Sequence, residues 1–445
     1  MKQKIIILLI FLLGQELVLS QETQNYRFSL QEAIDFALEN NRTAKNAALD
    51  IEAAKKQKWE TTATGLPQIS AAVDYQNWLK QQVTPVDFNM DGIDEDFVLG
   101  DPQSLNATAT LNQKIFDGSY LVGLQSAKVY LEISENAKVK TDLEVRKAVI
   151  NAYGNVLLSE EGLKIIHKNK DILQKNLDET SKIYENGLTE EESVEQLQIT
   201  LSNLESDLNK LQRLRDIAYQ MFNITVGLGV NTDTTLTDSL EDLAVQNINL
   251  GLLEADDNIE NTIDYQIAEN EKVSKELLLK LEKSKFLPTL NAFINGGYVA
   301  YNDKFAFTSN DQRWIGSSLL GFNLNIPIFS SFMRSASTQR ARINLEKAEI
   351  QLTDVQEQLR LQIATAKTEY QYAIEDYENK KQNLNLAERI EQKNQTKFFE
   401  GIASSFDLRQ AQTQLYTAQQ EYLQAMLDVI TKKAELETIL NITNP

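Results

Sequence analysis

Apolar side chains recur along this chain with two different periods. After Gln68, the residues Ile69, Ala71, Val73 and Tyr75 alternate with Ser70, Asp74 and Gln76, the period of two that gives a strand one apolar and one polar face. The stretch "SLNATATLNQKIF" does the same, with Leu105, Ala107, Ala109, Leu111 and Ile115 set against Asn106, Thr108, Thr110, Asn112 and Lys114. Two more strands are expected over residues 290–301 and 314–329. In the last, Leu320, Phe322, Leu324, Ile326 and Ile328 alternate with Asn323 and Asn325.

Elsewhere the apolar positions step by three and four, the heptad pattern of packed helices. From Phe116 to about Glu185, Leu163, Ile166, Leu173, Leu177 and Tyr184 fit one seam, with polar Lys170 and Thr180 in the intermediate slots. "YENGLTEEES" then interrupts, with Gly187 where a helix would end, and Val194, Leu197, Leu201, Leu204, Leu208 and Leu211 start a second seam. The pair predicts a helical hairpin. The plan returns downstream: Leu345, Ala348, Leu352, Val355 and Leu359, a break at Gly401 in "KFFEGIASS", then Leu408, Ala411, Leu415, Ala418, Tyr422 and Ala425. Gly187 and Gly401 are 214 residues apart, as are Val194 and Leu408, and Leu201 and Leu415. Two halves therefore share one register, the mark of an internal repeat. At about 1.5 Å per residue, a helix over residues 118–185 runs on the order of 100 Å, far longer than a globular domain needs.

Helix gives way to strand at a Leu-Pro pair in each half: "GLPQISAAV" at residues 65–73 and "FLPTLNAFI" at residues 286–294. The residue before proline is pushed out of the helical region, so Pro67 and Pro288 mark helix-to-strand transitions, and Pro327 in "IPIFSS" is expected to mark a third. The organisation that follows is a first repeat over residues 21–226, a linker over 227–261 rich in Asp, Thr and Asn, and a second repeat over 262–445. Each repeat contains a helix, a β-hairpin, a long helix and a return helix.

The opening residues carry an address. Lys2 and Lys4 precede an apolar run from Ile5 to Leu13, and small Ser20 follows at a plausible cleavage point. That is the layout of a secretory signal over residues 1–20 rather than a membrane span. No cysteine follows the run, so a lipid-modified N-terminus is not expected, and no later stretch is long and apolar enough for a transmembrane helix.

Composition removes several function classes. A formal charge of −20 leaves no basic face for phosphates, so no nucleic-acid partner is expected. Cysteine is absent, which removes disulfides, thiolate catalysis and zinc-thiolate sites. The single histidine, His167, lies in the helical stretch "LKIIHKNKDIL" and fits a solvated helix face. No Ser-His-Asp set or glycine-rich phosphate loop is present, so neither enzyme activity nor a cofactor is expected.

Four strands of about ten residues match the length needed to cross a bilayer on a tilt. Four cannot close a barrel, since the smallest single-chain barrels have about eight strands and an open edge in lipid leaves backbone groups unpaired. The chain must then pool strands with copies of itself. The alternative is a soluble sheet at one end of a helical bundle, or a secreted coiled-coil scaffold without a lumen. A self-sufficient porin would need many more strands than four.

The order of motifs is more specific than any one of them. A signal peptide, "SLQEAIDFALENN" (29–41), "GLPQIS", "QKIFDG" (113–118), a long helix and "YENGL" are followed by "FLPTL", "IPIFSS", a second long helix and "FEGIASSFDLRQAQTQLY" (399–416). This order resembles the TolC family of outer-membrane efflux proteins over essentially the whole mature chain. The resemblance implies a mainly α fold with a β-barrel portion. Three copies would form a twelve-stranded barrel in the lipid of the outer membrane, continued by a tunnel of antiparallel coiled-coil helices into the periplasm. It also implies a passive exit duct for a tripartite pump or type I secretion system. The expected partners are a periplasmic adaptor and an inner-membrane transporter of the resistance-nodulation-division or ABC type, and residues 227–261 would form a belt around the tunnel.

Family members close the periplasmic tip with inward aspartates just after the second-half glycine. By spacing, Asp407 is similar to the first, and the second falls at Gln410, a departure that leaves one acidic ring. Gly187 and Gly401 would let the chain reverse at the tip, and Arg409 is expected to pair with an acid of the first-half counterpart, Glu190, Glu191, Glu192 and Ser193, across neighbouring hairpins. Between the first two strands, "VTPVDFNMDGIDEDFVLGDP" holds Asp87, Asp91, Asp94, Glu95 and Asp96. It begins like a calcium loop and then departs, with Val98 at the twelfth position, where a bidentate glutamate belongs. A solvated acidic outer loop is expected there. Drug, metal ion, polysaccharide and protein cargo all stay open, although five methionines and one histidine offer no sulfur or imidazole relay for copper or silver.

Overall fold

The computed structural model describes residues 25–442 apart from 87–94, 99 and 256–257. The signal expected over residues 1–20 and Asp87, Asp91 and Asp94 of the acidic loop lie outside the described residues. The chain divides into two compact units, and both draw on both halves of the sequence. One holds residues 25–49, 136–267 and 354–442, the other residues 50–135 and 268–353. Two long helices, α3 (Gly118–Glu185) and α7 (Met333–Phe399), run through the boundary. No described helix is long and apolar enough to cross a membrane.

The unit with residues 50–135 and 268–353 is built on an antiparallel sheet of four strands: β2 (Gln68–Asn77), β5 (Gln103–Phe116), β7 (Thr289–Asn302) and β8 (Ile315–Asn325), in the order β2-β5-β7-β8. A small hairpin, β3 (Val83–Val86) with β4 (Glu95–Val98), stands apart from it. Glu95 and Asp96 of the expected acidic loop lie in β4. Pro67 and Pro288 immediately precede β2 and β7, after helices α2 (Arg42–Ala63) and α6 (Ile263–Ser284). Pro327 is a correction. It follows β8, which stops at Asn325 instead of reaching 329, so it marks strand-to-helix passage. The segment after it turns through Ser331 (φ 49°) and Phe332 (φ 63°), both left-handed values.

The other unit is helical. Besides the ends of α3 and α7 it holds β1 (Tyr26–Phe28), α1 (Leu30–Asn40), α4 (Glu191–Val226), β6 (Thr234–Leu236), α5 (Leu240–Gln246) and α8 (Ser405–Ile439). The predicted seams meet in its core: Leu173 and Leu177 of α3 pack with Val194, Leu197, Leu201 and Leu204 of α4. Thr180, one of the polar slots, is fully buried, while Lys170 pairs with Glu205 at 2.9 Å. Tyr184, expected on the seam, is exposed.

The segment between the repeats holds, among its described residues, strand β6, helix α5 and two short 3-10 turns. Strand β6 pairs in parallel with β1, and Asp238 accepts hydrogen bonds from the Leu30 backbone at 2.7 Å and the Tyr153 hydroxyl at 2.9 Å. Burial, followed by that bond, pushes the Tyr153 phenol well above its ordinary value. Nearby, buried Glu437 is held by Arg146 at 2.7 Å and Lys433 at 3.3 Å. Removing one member of such a buried pair costs more than the pair contributes, because the survivor is left charged and dry.

Gly227 ends α4 at φ 95°, and a side chain there would collide with the Asn40 backbone. Gly227→Ala is expected to cost more than about 1 kcal/mol, because both the left-handed φ and the contact oppose a Cβ. Gly229→Ala, two residues on and without a left-handed φ, should change little. Thermal denaturation of the two variants in detergent, followed by circular dichroism, checks the contrast.

Candidate functional site: an open sheet and two helical tips

Register decides what the sheet can face. Ile69, Ala71, Val73 and Tyr75 of β2 sit opposite Leu111, Ala109, Ala107 and Leu105 of β5. These in turn oppose Ile294, Gly296, Tyr298 and Ala300 of β7, and β8 adds Leu320, Phe322 and Leu324 through Ile294, Ala292 and Leu290. One face is thus apolar across all four strands. It is also open, with Ile69 at 75%, Val73 at 69% and Phe322 at 68% of full exposure. The opposite face carries Ser70, Asp74, Thr108, Thr110, Asn112 and Asn295, and Asn295 Nδ2 donates to Thr110 Oγ1 at 2.7 Å. At the end of the sheet away from the helices, Tyr75, Phe305 and Phe307 meet edge to face with ring centroids 5.5–6.0 Å apart.

The outer strands β2 and β8 each have one neighbour within the chain. Each therefore presents an unpaired row of N–H and C=O groups, and an apolar, open-edged sheet of this kind has no stable place in water.

The second feature lies in the helical unit. The α3–α4 and α7–α8 connections both reverse at a glycine with φ 73°, Gly187 and Gly401, and a side chain at either would meet open space. Beside each glycine stands an exposed apolar residue, Leu188 or Ile402. A groove of about 740 Å³ runs between the two tips, lined by Leu188, Glu190, Glu192, Ser193 and Gln196 on one side and by Phe399, Gly401 and Phe406 on the other.

The tips repeat in sequence but differ in chemistry. At the second, Ser404 is the N-cap of α8 and Asp407 completes a capping box. The Asp407 carboxylate accepts the Ser404 backbone N–H at 3.0 Å and its hydroxyl at 2.7 Å, and Ser404 Oγ accepts the Asp407 N–H at 3.2 Å. These bonds hold the exposed Asp407 carboxyl below its ordinary value. At the first tip the order is inverted: Glu190 occupies the cap position of α4 and makes no side-chain cap bond. Glu192 accepts from Gln196 at 2.8 Å, and Ser193 accepts from Thr189 at 3.4 Å.

Within the chain, Arg409 stacks its guanidinium over Phe406 at 5.4 Å and forms no ion pair with a described residue. Gln410 is exposed, as is His167. The described residues hold no cluster of three His, Asp or Glu side chains fit for a metal.

Sequence periodicity alone did not reveal the polar residues inside the helical unit. Asn169 Nδ2 donates to Gln419 Oε1 at 2.7 Å, and Gln395 Nε2 to Asn176 Oδ1 at 2.9 Å. Glu391 lies close by, its carboxyl pushed up by burial and partly offset by the Gln412 amide. Burial, and then the Glu391 charge, pushes the Tyr416 phenol up to about 12.

A four-stranded sheet with one lipid-like face and two edges unpaired within the chain, and a helical unit with paired hairpin tips, are the parts of an outer-membrane duct. The outer membrane efflux protein family matches residues 33–223 and 274–441, and the chain belongs to that family. It is similar to the probable efflux pump outer membrane protein TtgC of Pseudomonas putida, 23% identical over 415 residues that cover 92% of this chain and 82% of that one. The outer membrane protein TolC of Escherichia coli is 22% identical over 424 residues, 91% of this chain and 80% of that one. Among solved structures, the outer membrane protein VceC of Vibrio cholerae superposes with a TM-score of 0.72 at 17% identity, covering 93% of this chain and 96% of that one. The CmeC outer membrane channel of Campylobacter jejuni gives 0.72 at 14%, covering 94% and 87%.

Two measurements follow from the site. Ser404→Ala removes the cap hydroxyl and is expected to cost about 1 kcal/mol, read as a lower melting temperature and faster proteolysis at the second tip. For Glu391 the folded value lies above the unfolded one, so the native state binds the proton more tightly. The residue costs nothing below the ordinary carboxylate range and destabilises increasingly as pH rises towards its folded value. Glu391→Gln should therefore match the parent near about pH 4 and exceed it in thermal stability at about pH 8.

Proposed function

We propose that three copies of this chain assemble into one outer-membrane duct, each contributing four strands to a twelve-stranded barrel. The observation that carries this reading is the sheet with an apolar face and two unpaired edges. Strand directions alternate across β2-β5-β7-β8, so β8 of one copy and β2 of the next would run antiparallel. Repeating that pairing would satisfy every edge group, which lipid demands. The number three is what the family resemblance implies.

In this reading the helical tips face the periplasm, and a periplasmic adaptor docks on them through the exposed Leu188, Ile402 and Phe406 and the groove between. The adaptor would join the duct to an inner-membrane transporter of the resistance-nodulation-division or ABC type, which supplies the energy. Asp407 would form an acidic ring at the closed tip, with Gln410 widening the uncharged zone behind it and Arg409 free to meet an acid of the neighbouring copy. That the relatives are named efflux pump components supports cargo moving outward through the lumen.

Adjacent residues of β2 test the assembly. Val73→Arg places a charge on the lipid face near mid-strand and is expected to cost about 2–4 kcal/mol of insertion, with loss of the detergent-extracted trimer by native mass spectrometry. Asp74→Arg, on the opposite face, should still assemble and conduct. Equal tolerance of both would sink the barrel reading. For the tip, Asp407→Asn keeps an acceptor for Ser404 while removing the charge, so a gating ring predicts higher conductance and weaker cation preference in a planar bilayer. Unchanged conductance would leave Asp407 a cap residue only.

A further inference from the structure

The chain carries a formal charge of −20, yet its charge reverses where helices meet sheet. Residues 55–66, 114–128, 280–288 and 326–342 are the helix ends next to the four strands and their connections, and they contain eleven Lys and Arg against three Asp and Glu. Some of the bases are matched locally, such as Lys55 with Glu52 and Lys285 with Glu282, both at 2.7 Å. Others are not. Lys56 and Lys58 on α2, Lys280 and Lys283 on α6, and Arg340 and Arg342 on α7 are exposed and form no ion pair with a described residue.

The same zone is unusually apolar for a surface. Trp59 is 63% exposed, and Phe286, Leu287, Ile328, Phe329, Phe332 and Met333 are exposed too, Ile328 at 90%. The backbone is set up to present them. Ser331 and Phe332 are consecutive non-glycine residues in the left-handed region, a conformation unfavourable for side chains that persists where the surroundings require it. The turn brings the Phe329 and Phe332 rings together at 6.0 Å. Behind it, Arg334 lies over the Phe286 ring at 5.3 Å and donates to the Pro327 carbonyl at 3.1 Å, while its Nε is buried without a partner. Apolar rings beside exposed cations, at the end of a sheet whose apolar face is bare, suit the boundary between acyl chains and headgroups.

We propose that this collar binds anionic glycerophospholipid headgroups in the leaflet that meets the helix end of the sheet. The phosphates would sit against Lys56, Lys58, Lys283, Arg340 and Arg342, with the acyl chains against the exposed aromatic and aliphatic side chains. The occupant follows from charge complementarity and from continuity with the apolar face of the strands. A zwitterionic headgroup would gain much less from five bases. The inference rests on the duct reading above. Its functional consequence is a fixed depth in the membrane, which sets where the helices leave it.

The test uses the full detergent-extracted protein exchanged into micelles containing equal phosphatidylglycerol and phosphatidylcholine, with retained lipid counted by native mass spectrometry. The unaltered protein should keep phosphatidylglycerol in at least about threefold excess, an excess that salt reduces. Changing Lys56, Lys58, Lys283, Arg340 and Arg342 each to Gln should bring the ratio to parity. A control with the same charge change in the helical unit, Lys168, Lys175, Lys210, Arg213 and Lys393 each to Gln, should keep the excess. Parity in the unaltered protein, or an excess that survives in the collar variant, would overturn the proposal. So would a collar variant that retains the excess but shifts the anion-to-cation permeability ratio, because those side chains would then line the lumen. Trimer mass and bilayer conductance, recorded on the same samples, separate this outcome from failure of the duct itself: a water-soluble, non-conducting monomer would remove both readings.

Discussion

Every other feature of this protein depends on one constraint, the pairing of backbone N–H and C=O groups where water cannot reach them. A strand pays this debt only through its neighbours. In this chain β5 and β7 are paired on both sides, and β2 and β8 on one side. The sheet therefore keeps two edges without a neighbour inside the chain, and its register separates an apolar face from a polar one. Side chains from Ile69 through Leu111 and Ile294 to Leu320 share one face, with polar Thr110 and Asn295 bonded on the other.

The helices meet the same constraint differently, since each satisfies its own backbone and must bury only a stripe of side chains. The two long helices, α3 and α7, each run unbroken to a glycine reversal. The ends are where internal satisfaction fails, and the two tips solve it in different ways. Ser404 and Asp407 close the start of α8 with a capping box, whereas α4 starts at Glu190 without one. One sequence repeat has thus become two chemically distinct surfaces around a common groove. Inside the helical unit, the Asn169–Gln419 and Asn176–Gln395 bonds restrict which helix registers are compatible, since a shifted register would leave these amides buried and unpaired.

Much of the fold was legible in the sequence because period is a local property. Strand alternation from Ile69 to Tyr75, the seam from Val194 to Leu208 and the glycine breaks at 187 and 401 each depend on a few consecutive residues. The misses arise where distant groups decide. Tyr184 fits the seam by spacing, yet it lies in the last turn of α3, just before the reversal at Gly187, and is exposed. Ile326 and Ile328 continue the alternation, but Pro327 between them has no N–H to give a ladder, and β8 stops at Asn325. The parallel pairing of β1 with β6 joins segments more than two hundred residues apart, and no local pattern announces it. At the tip, the family resemblance pointed to Asp407, but the hydrogen bonds that tie up its carboxylate became visible only with the cap geometry.

The sequence by itself determined where helix and strand lie, which faces are apolar, that two halves repeat, and that four strands are too few to close. These follow from side-chain order along a backbone with fixed periods. Only the tertiary structure decided which strands neighbour one another and which two are left open. It also brought Arg146 and Lys433 to Glu437, Tyr153 to Asp238, and the exposed bases of α2, α6 and α7 to the helix end of one sheet. Apart from Lys433, which stands one helical turn from Glu437, those groups lie far apart in the chain, and their energies depend on distance and burial in space, which the order of residues along the chain does not encode locally.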